Sequence, residues 1–461
     1  MKKRMIIITS YFKGETYGML GPQMAATIIQ NNTEYDCIVI AIAREDNKTL
    51  IKKIIADYLG KERPIIGFST LSGREDLFYL AKELKEEGAM TILAGPQSDL
   101  DFRGEIDWRN YPHRFPGLSD FFSLALHGPA EQAIGFLTGL EKNAWRRADG
   151  LLFVDKDGSI RSNAEKRWDE HYLREVSWNN LHRIKDEGPV PVHITIGQVL
   201  QQIGCPHAAV QKRVEIDYPV SIRGGEDKKI SIRLKGCSFC DVAVDKGFYG
   251  ELNMNTVFDQ IQSLPEDEEG RKIPFELINE NPFFRLPDLL MGCKYRQLNI
   301  SQINLILRAD YFLKGEEKAR ESLKMAKETG TRIHIASMGF EAFDDRLLSN
   351  FHKGLTLKTN LQAVRLMRQL KEDFPDEWTY SKADGANHGF IHPTPWDTRE
   401  THSNTQKNIA IYGLSSDILP PHSTPLIIHH ASALGDWIRE VEKREGILYK
   451  RYASIIGWWN S

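Results

Sequence analysis

The chain has little cysteine, no surplus of basic charge, no long apolar run and no internal repeat, and each lack removes a class of protein. Five cysteines in 461 residues (Cys37, Cys205, Cys237, Cys240, Cys293) are too few for a disulfide framework, so a reducing cytoplasm is the expected setting. Lysine and arginine number 60 against 63 acidic residues, for a net charge of −3. The basic residues are scattered rather than gathered into a stripe, which argues against a dedicated nucleic-acid surface. No apolar stretch approaches the ~20 residues of a membrane span. The apolar run in "MKKRMIIITSYFKG" is too short for a signal-peptide core and reads as a first buried strand. What is present suits a globular protein of two or three domains: 41% hydrophobic and 27% charged residues.

Through residue 145 the sequence alternates strand-like and helix-like segments. "RMIIITS", "YDCIVIAIA", "PIIGFST" and "AMTILAG" are continuous apolar strands, as expected of a parallel sheet covered on both faces. The intervening "MLGPQMAATIIQNN", "KTLIKKIIADYLG" and "REDLFYLAKELKEEG" read as helices. The pattern predicts a doubly wound, Rossmann-like domain over 1–145. Ligands of such sheets sit at the carboxyl ends of the strands. The residues there are small: Ser69-Thr70-Leu71-Ser72 after one strand, Gly95-Pro96 after another. Residues 146–195, with the hairpin-like "GLLFVDKDGSI", read as a connector. From 196 to 400 a second strand–helix series follows, fitting a partial (β/α) barrel or a second open sheet. "KISIRLKG" reads as one of its strands, and 401–461 as a C-terminal extension.

"RLKGCSFCDVAVDKGFYG" contains a C-x-x-C pair, Cys237 and Cys240. A structural zinc site needs four ligands, usually two such knuckles, and only one is present. A redox dithiol wants a helix beginning inside the motif, and "DVAVDKGFYGEL" is not a clean helix. Two ordinary buried cysteines are a further reading. The remaining one is a thiolate-ligated iron–sulfur cluster at the mouth of a barrel.

The second half of the chain resembles the radical S-adenosylmethionine (SAM) enzymes. Their motif is C-x3-C-x2-C with an aromatic residue before the last cysteine, and Cys237, Phe239 and Cys240 match its end. "ELINENPFF" resembles the acidic strand that binds the SAM amino group, "LILRAD" the arginine-bearing strand, and "ASMGFEAFDDRLLSNFHKGLT" the following strand–helix stretch. "HGFIHPTPWDT" resembles a later strand end. The first cysteine is missing from its place, where Arg233 stands. "IGCPH" resembles the opening of the motif, and its Cys205 lies 31 residues ahead of the pair. The resemblance implies a 4Fe-4S cluster on Cys205, Cys237 and Cys240, with a hairpin or flap between the first two. Cys293 is the competing third ligand, and loss of the cluster is the other alternative. "GGE" (Gly224-Gly225-Glu226) precedes Cys237 and reads as a turn. By the same resemblance Phe239, Asn279, Glu280, Arg308, Glu341 and Pro393 line the SAM site.

The amino-terminal half resembles the cobalamin-binding domain found ahead of many radical SAM domains, with Ser69, Thr70, Leu71, Ser72, Gly95, Pro96, Gly128 and Glu131 at the expected cofactor positions. No D-x-H-x-x-G motif is present, so no histidine is nominated as a cobalt ligand. The resemblance implies reductive cleavage of SAM to a 5′-deoxyadenosyl radical and methyl transfer to an unactivated carbon of a small molecule. The alternatives are a cobalamin-assisted rearrangement or ring formation, and a non-catalytic cofactor-binding protein with a degenerate cluster. An electron donor such as flavodoxin or ferredoxin is the implied protein partner. The histidines at 388, 392, 429 and 430 read as hydrogen-bonded structural residues.

Overall fold

In a computed structural model of the chain, residues 2–60, 64–69, 73–185, 188–222, 228–240 and 250–459 are described. The cobalamin positions Thr70, Leu71 and Ser72 and the Gly224-Gly225-Glu226 turn lie outside the described residues. The chain divides into two compact units, residues 1–197 with 263–265 and 451–455, and the remainder.

The first unit is built on a nine-stranded sheet. Its central strands are β1 (Lys3–Ser10), β2 (Tyr35–Ile42), β3 (Ile65–Ser69), β4 (Met90–Ala94) and β5 (Leu124–Leu126). They lie in the order β5-β4-β3-β1-β2, all parallel. Helices α1 (Leu20–Asn32), α2 (Lys48–Leu59), α3 (Glu75–Glu86), α4 (Ser98–Arg103) and α5 (Gln132–Glu141) connect or follow them. The strands are almost fully buried: Ile6, Ile8, Ile40, Ile66 and Phe68 form one core with Leu77, Leu84 and Phe122. Helix starts and stops follow from local chemistry. Asn47 Oδ1 accepts the Leu50 N–H at 3.1 Å to begin α2, and Gly60 ends it at φ +70°, where a side chain would be strained. The strand order reverses between β1 and β3, which puts the binding crevice of this fold outside their carboxyl ends.

The segment 146–195, read from sequence as a connector, supplies four more strands of this sheet. β6 (Leu151–Val154) and β7 (Ile160–Ser162) form the antiparallel hairpin on the β5 edge. β8 (Leu181–Lys185) runs parallel to β2, and β9 (Gly188–Pro191) closes that edge. Short, partly polar strands of this kind carry a weak sequence signal because only one face is buried.

The second unit contains a six-stranded sheet that begins with β10 (Gly197–Leu200). Two small ladders follow: β11 (Gln202–Ile203) pairs with β14 (Gly250–Glu251), and β12 (Gln211–Asp217) pairs with β13 (Lys229–Lys235). After α6 (Met254–Ser263) the sheet continues with β15 (Phe275–Ile278), β16 (Gln302–Leu307), β17 (Arg332–Glu341), β18 (Trp378–Thr379) and β19 (Gly389–Phe390). These five pair in parallel. The helices between them are α7 (Leu286–Tyr295), α8 (Ala309–Lys314), α9 (Glu316–Thr329), α10 (Asp345–Phe351) and α11 (Leu357–Asp373). This is an open, partial barrel of β/α units. Phe312 and Trp378 stack at 5.8 Å in its core, and Leu305, Ile333 and Ile335 are fully buried. "KISIRLKG" is therefore not a barrel strand. Its alternating exposed and buried residues are those of a half-covered antiparallel ribbon, and β10 opens the barrel sheet instead.

Candidate functional site

Two ladders place the cysteines. Ile203 pairs with Gly250, and Gln211 pairs with Lys235. Cys205 lies on the segment between Ile203 and Gln211. Cys237 and Cys240 lie on the returning segment between Lys235 and Gly250. All three cysteines thus lie on the two segments that run between these ladders, and Cys205 and Cys237 are near enough for the charge of one to act on the other. The long sequence interval between Cys205 and Cys237 is taken up by the hairpin β12–β13, whose ends meet at Gln211 and Lys235. The intervening segment is a hairpin, and it spans the interval without separating its ends.

The electrostatics agree. Burial pushes the Cys237 thiol up, Lys353 and Arg308 pull it back, and negative charge on Glu341 and Cys205 opposes its ionisation. Burial also raises Cys205, helped by Glu280, while the backbone N–H groups of His207 and Ala208 donate to its sulfur and lower it. Cys293 is elsewhere: buried on α7 and pushed up to about 12 by burial, with only Arg296 opposing. Among the described residues the three motif thiols do not fall within 4.8 Å of one another. A tetrahedral zinc, with Zn–S of about 2.3 Å, would draw them to roughly 3.8 Å.

Arg308 and Lys353 bring positive charge near Cys237. Arg308, 3% exposed, points Nη1 at Cys237 Sγ (3.7 Å), donates from Nε to Asp310 (3.0 Å) and from Nη2 to the Lys353 carbonyl. SAM, expected to lie against Arg308, would thus meet a guanidinium already engaged on three sides, and its charge eases ionisation of the neighbouring Cys237 thiol. Lys353 Nζ donates to the Gly339 carbonyl at 2.7 Å and to Glu341 Oε1 at 2.5 Å. Glu341 holds φ +62° at the end of β17, beside a register shift against β19. A non-glycine residue in the left-handed region is costly and is retained where the surroundings fix it. A Cβ at Gly339 would sit 2.1 Å from Lys353 Nζ and 2.5 Å from Glu341 Oε1, so only glycine admits this pair.

The remaining expected SAM residues are spread around the same sheet end. Burial raises the Glu280 carboxyl, with Lys353 and Arg308 lowering it. Asn279 is satisfied internally: its amide donates to Gln201 Oε1 and its carbonyl oxygen accepts the Asn281 N–H, both at 2.7 Å. Asn281 Oδ1, in contrast, is buried with no hydrogen-bond partner among the described residues. Phe239 meets Phe351 edge-on at 5.5 Å. Pro393 lies two residues beyond Ile391, whose N–H donates to the Glu341 carbonyl at 2.8 Å. Sequence reasoning missed Lys353 and Asn281. Both stand inside stretches quoted for the resemblance: Asn281 adjoins the nominated Glu280, whereas no neighbour in sequence marks Lys353.

In the first unit, Ser69 and Gly95 end the adjacent strands β3 and β4, and a Cβ at Gly95 would lie 3.5 Å from Ser69 Oγ. Gly95 has φ +113°, which a side chain would strain. Pro96 follows it at the mouth of the loop. Gly128 and Glu131 have other occupations. A Cβ at Gly128 would meet Gln132 Nε2 at 2.2 Å and Glu165 Oε2 at 2.8 Å, and Glu131 Oε1 accepts the Asp169 N–H at 2.6 Å. Phe12, just beyond β1 and 75% exposed, stands at the strand-order reversal and was not foreseen.

No family profile matches the chain, and no curated protein matches it in sequence. Solved structures do. The cobalamin-dependent S-adenosylmethionine radical enzyme OxsB, with aqua-cobalamin and S-adenosylmethionine bound, aligns over 98% of this chain with a TM-score of 0.62 and 13% identity. The chain has the fold of a cobalamin-dependent radical SAM enzyme. OxsB with aqua-cobalamin alone gives 0.62 and 14% identity, and its apo, selenomethionine-labelled form gives 0.59 and 13%. The chain spans 64% of the length of OxsB. Among the described residues no helix is long and apolar enough to cross a membrane.

Proposed function

We propose that the chain is a cobalamin-dependent radical SAM enzyme that transfers a methyl group to an unactivated carbon of a small molecule. The observation that supports this reading is the placement of Cys205, Cys237 and Cys240 on the two segments between the β11–β14 and β12–β13 ladders, with Cys205, Arg308 and Lys353 all near Cys237. Three thiolates fit a 4Fe-4S cluster with one iron left for a ligand, and two buried cations suit the negative charge that the thiolates bring. Such a cluster, when bound, supplies the electron that splits a carbon–sulfur bond of SAM. The protein's tasks are then orientation and exclusion of water. Glu280 and the unpartnered Asn281 oxygen accept from the methionine amine. Glu341, locked by Lys353, holds the strand end against which SAM lies. Phe239 offers an apolar edge for the adenine. Ser69 and Gly95, at the carboxyl ends of β3 and β4, suit the close approach of a cobalamin tail, and the order of the two units matches that role.

Anaerobically prepared protein supplied with reductant and SAM tests the reading. Cobalamin binding is expected as a corrin spectrum, and SAM cleavage as 5′-deoxyadenosine. Methyl transfer additionally releases S-adenosylhomocysteine. Its absence alongside 5′-deoxyadenosine would point to rearrangement, and a colourless, iron-free protein after reconstitution would overturn the enzyme reading.

A further inference from the structure

The hairpin β12–β13 has two unlike faces. Ile216, Ile230, Ile232 and Leu234 are buried, packed towards α10 and a later helix, α12 (Ala433–Glu445). Polar ties fix the ribbon in place. Asp217 N–H donates to Asn350 Oδ1 at 2.9 Å, and Trp396 Nε1–H donates to the Asp217 carbonyl at 3.0 Å. The His352 ring lies 2.9 Å from the Glu215 carbonyl.

The outer face is exposed along β13 at Lys229, Ser231, Arg233 and Lys235. Opposite them stand Asp217, Glu215, Arg213 and Gln211. The charge is therefore polarised. Both carboxylates lie near the turn, and Arg213, Arg233 and Lys235 lie at the end that joins the cysteines. Arg213 and Arg233 are directly opposed, an arrangement that costs stability. Neither they nor Lys235 forms an ion pair with another described residue. Lys235 is two residues from Cys237.

Resting on the function proposed above, we propose that this basic end is the docking surface for an acidic one-electron carrier protein, of the flavin or iron–sulfur class. Electron transfer demands close approach to the centre that the cysteines hold, and uncompensated charge steers a weak, transient encounter of opposite sign. In the coupled reaction the carrier is oxidised by one electron. The SAM sulfonium gains that electron, and one carbon–sulfur bond breaks to give methionine and a carbon-centred radical. The exposed side chains of this two-stranded ribbon line neither of two pockets among the described residues, and small-molecule sites are concave. Three cations, with Glu215 nearby and no exposed aromatic residue among the described residues of the ribbon, fall short of a nucleic-acid track.

The test compares wild type with Arg213→Glu/Arg233→Glu/Lys235→Glu, and with Lys229→Glu at the turn end as a control. Binding of an acidic flavodoxin is measured directly, and SAM cleavage is driven either by that flavodoxin or by dithionite. The triple variant is expected to bind flavodoxin at least about tenfold more weakly at low ionic strength. It should lose flavodoxin-driven cleavage to a similar degree and keep the dithionite-driven rate, with Lys229→Glu close to wild type. Unchanged flavodoxin binding in the triple variant would overturn the proposal. So would charge-dependent binding of an RNA oligomer in place of flavodoxin. If wild type cleaves no SAM with either reductant, the enzyme reading fails, and the binding measurement still decides the surface.

Discussion

Replacing Lys353 by methionine leaves the Glu341 carboxylate buried without its partner. The two side chains are 9% and 10% exposed and 2.5 Å apart. At an effective dielectric of ~20 their gross attraction is about 7 kcal/mol. Desolvation of the two ions offsets most of it, so the intact pair adds little net stability. Removing one partner is different, because the loss of attraction is not matched by release of the other ion. Lys353→Met is expected to cost about 3–5 kcal/mol. Glu341→Gln should cost a similar amount by stranding the lysine. The double variant leaves chiefly the Gly339 carbonyl short of a donor, a loss of about 1–3 kcal/mol. Equilibrium urea unfolding of the iron-free protein gives the cycle: the double variant should unfold at higher urea than Lys353→Met alone. A double variant destabilised by the sum of the two singles would refute a coupled, buried ion pair, and with it the explanation for glycine at 339.

Two further predictions concern pH. Glu280 has a raised folded-state pKa because of burial, so the unfolded chain loses its proton first and this residue subtracts stability as pH rises above its unfolded value. Glu280→Gln should raise the melting temperature of the apo protein at pH 8, with no gain at pH 4, while weakening SAM binding; an equal gain at both values would contradict the assignment. His388 is lowered to about 4 by burial, which outweighs the opposing contact of Nε2 with the Tyr380 carbonyl at 2.7 Å; its Nδ1 accepts the Met338 N–H at 3.0 Å. Its contribution is complete above the unfolded value near 6.5 and disappears as pH falls towards 4, up to roughly 3 kcal/mol. His388→Gln should flatten the stability profile across that window, and an unchanged slope would sink the argument.

Much of the first unit was legible because β1 to β4 are continuous apolar runs separated by helices. The 146–195 strands escaped notice since Ile160–Ser162 and Gly188–Pro191 bury little and follow neither period. In the second unit the motif residues could be named, yet "KISIRLKG" was placed in the wrong sheet. Its alternation was the clue, and a ribbon packed on a helix reads like any half-buried strand. Cys205 was identified across a long interval because the local "IGCPH" resembled a motif opening; its proximity to Cys237 follows from pairings between residues far apart in sequence. Lys353 was invisible for a related reason. Its importance depends on a left-handed Glu341 and on the glycine at 339, and no local pattern announces either. At Glu131 one carboxylate oxygen accepts the Asp169 N–H and the other is buried without a hydrogen-bond partner among the described residues, a feature that no sequence pattern shows.

Iron and sulfide content after anaerobic reconstitution tests the central claim most directly, measured for wild type, Cys205→Ala and Cys293→Ala. Wild type and Cys293→Ala should each hold about four irons per chain with a broad cluster absorbance, and Cys205→Ala should lose most of both. Full iron in Cys205→Ala, or its loss in Cys293→Ala alone, would contradict the convergence of residues 205, 237 and 240 on one inorganic core.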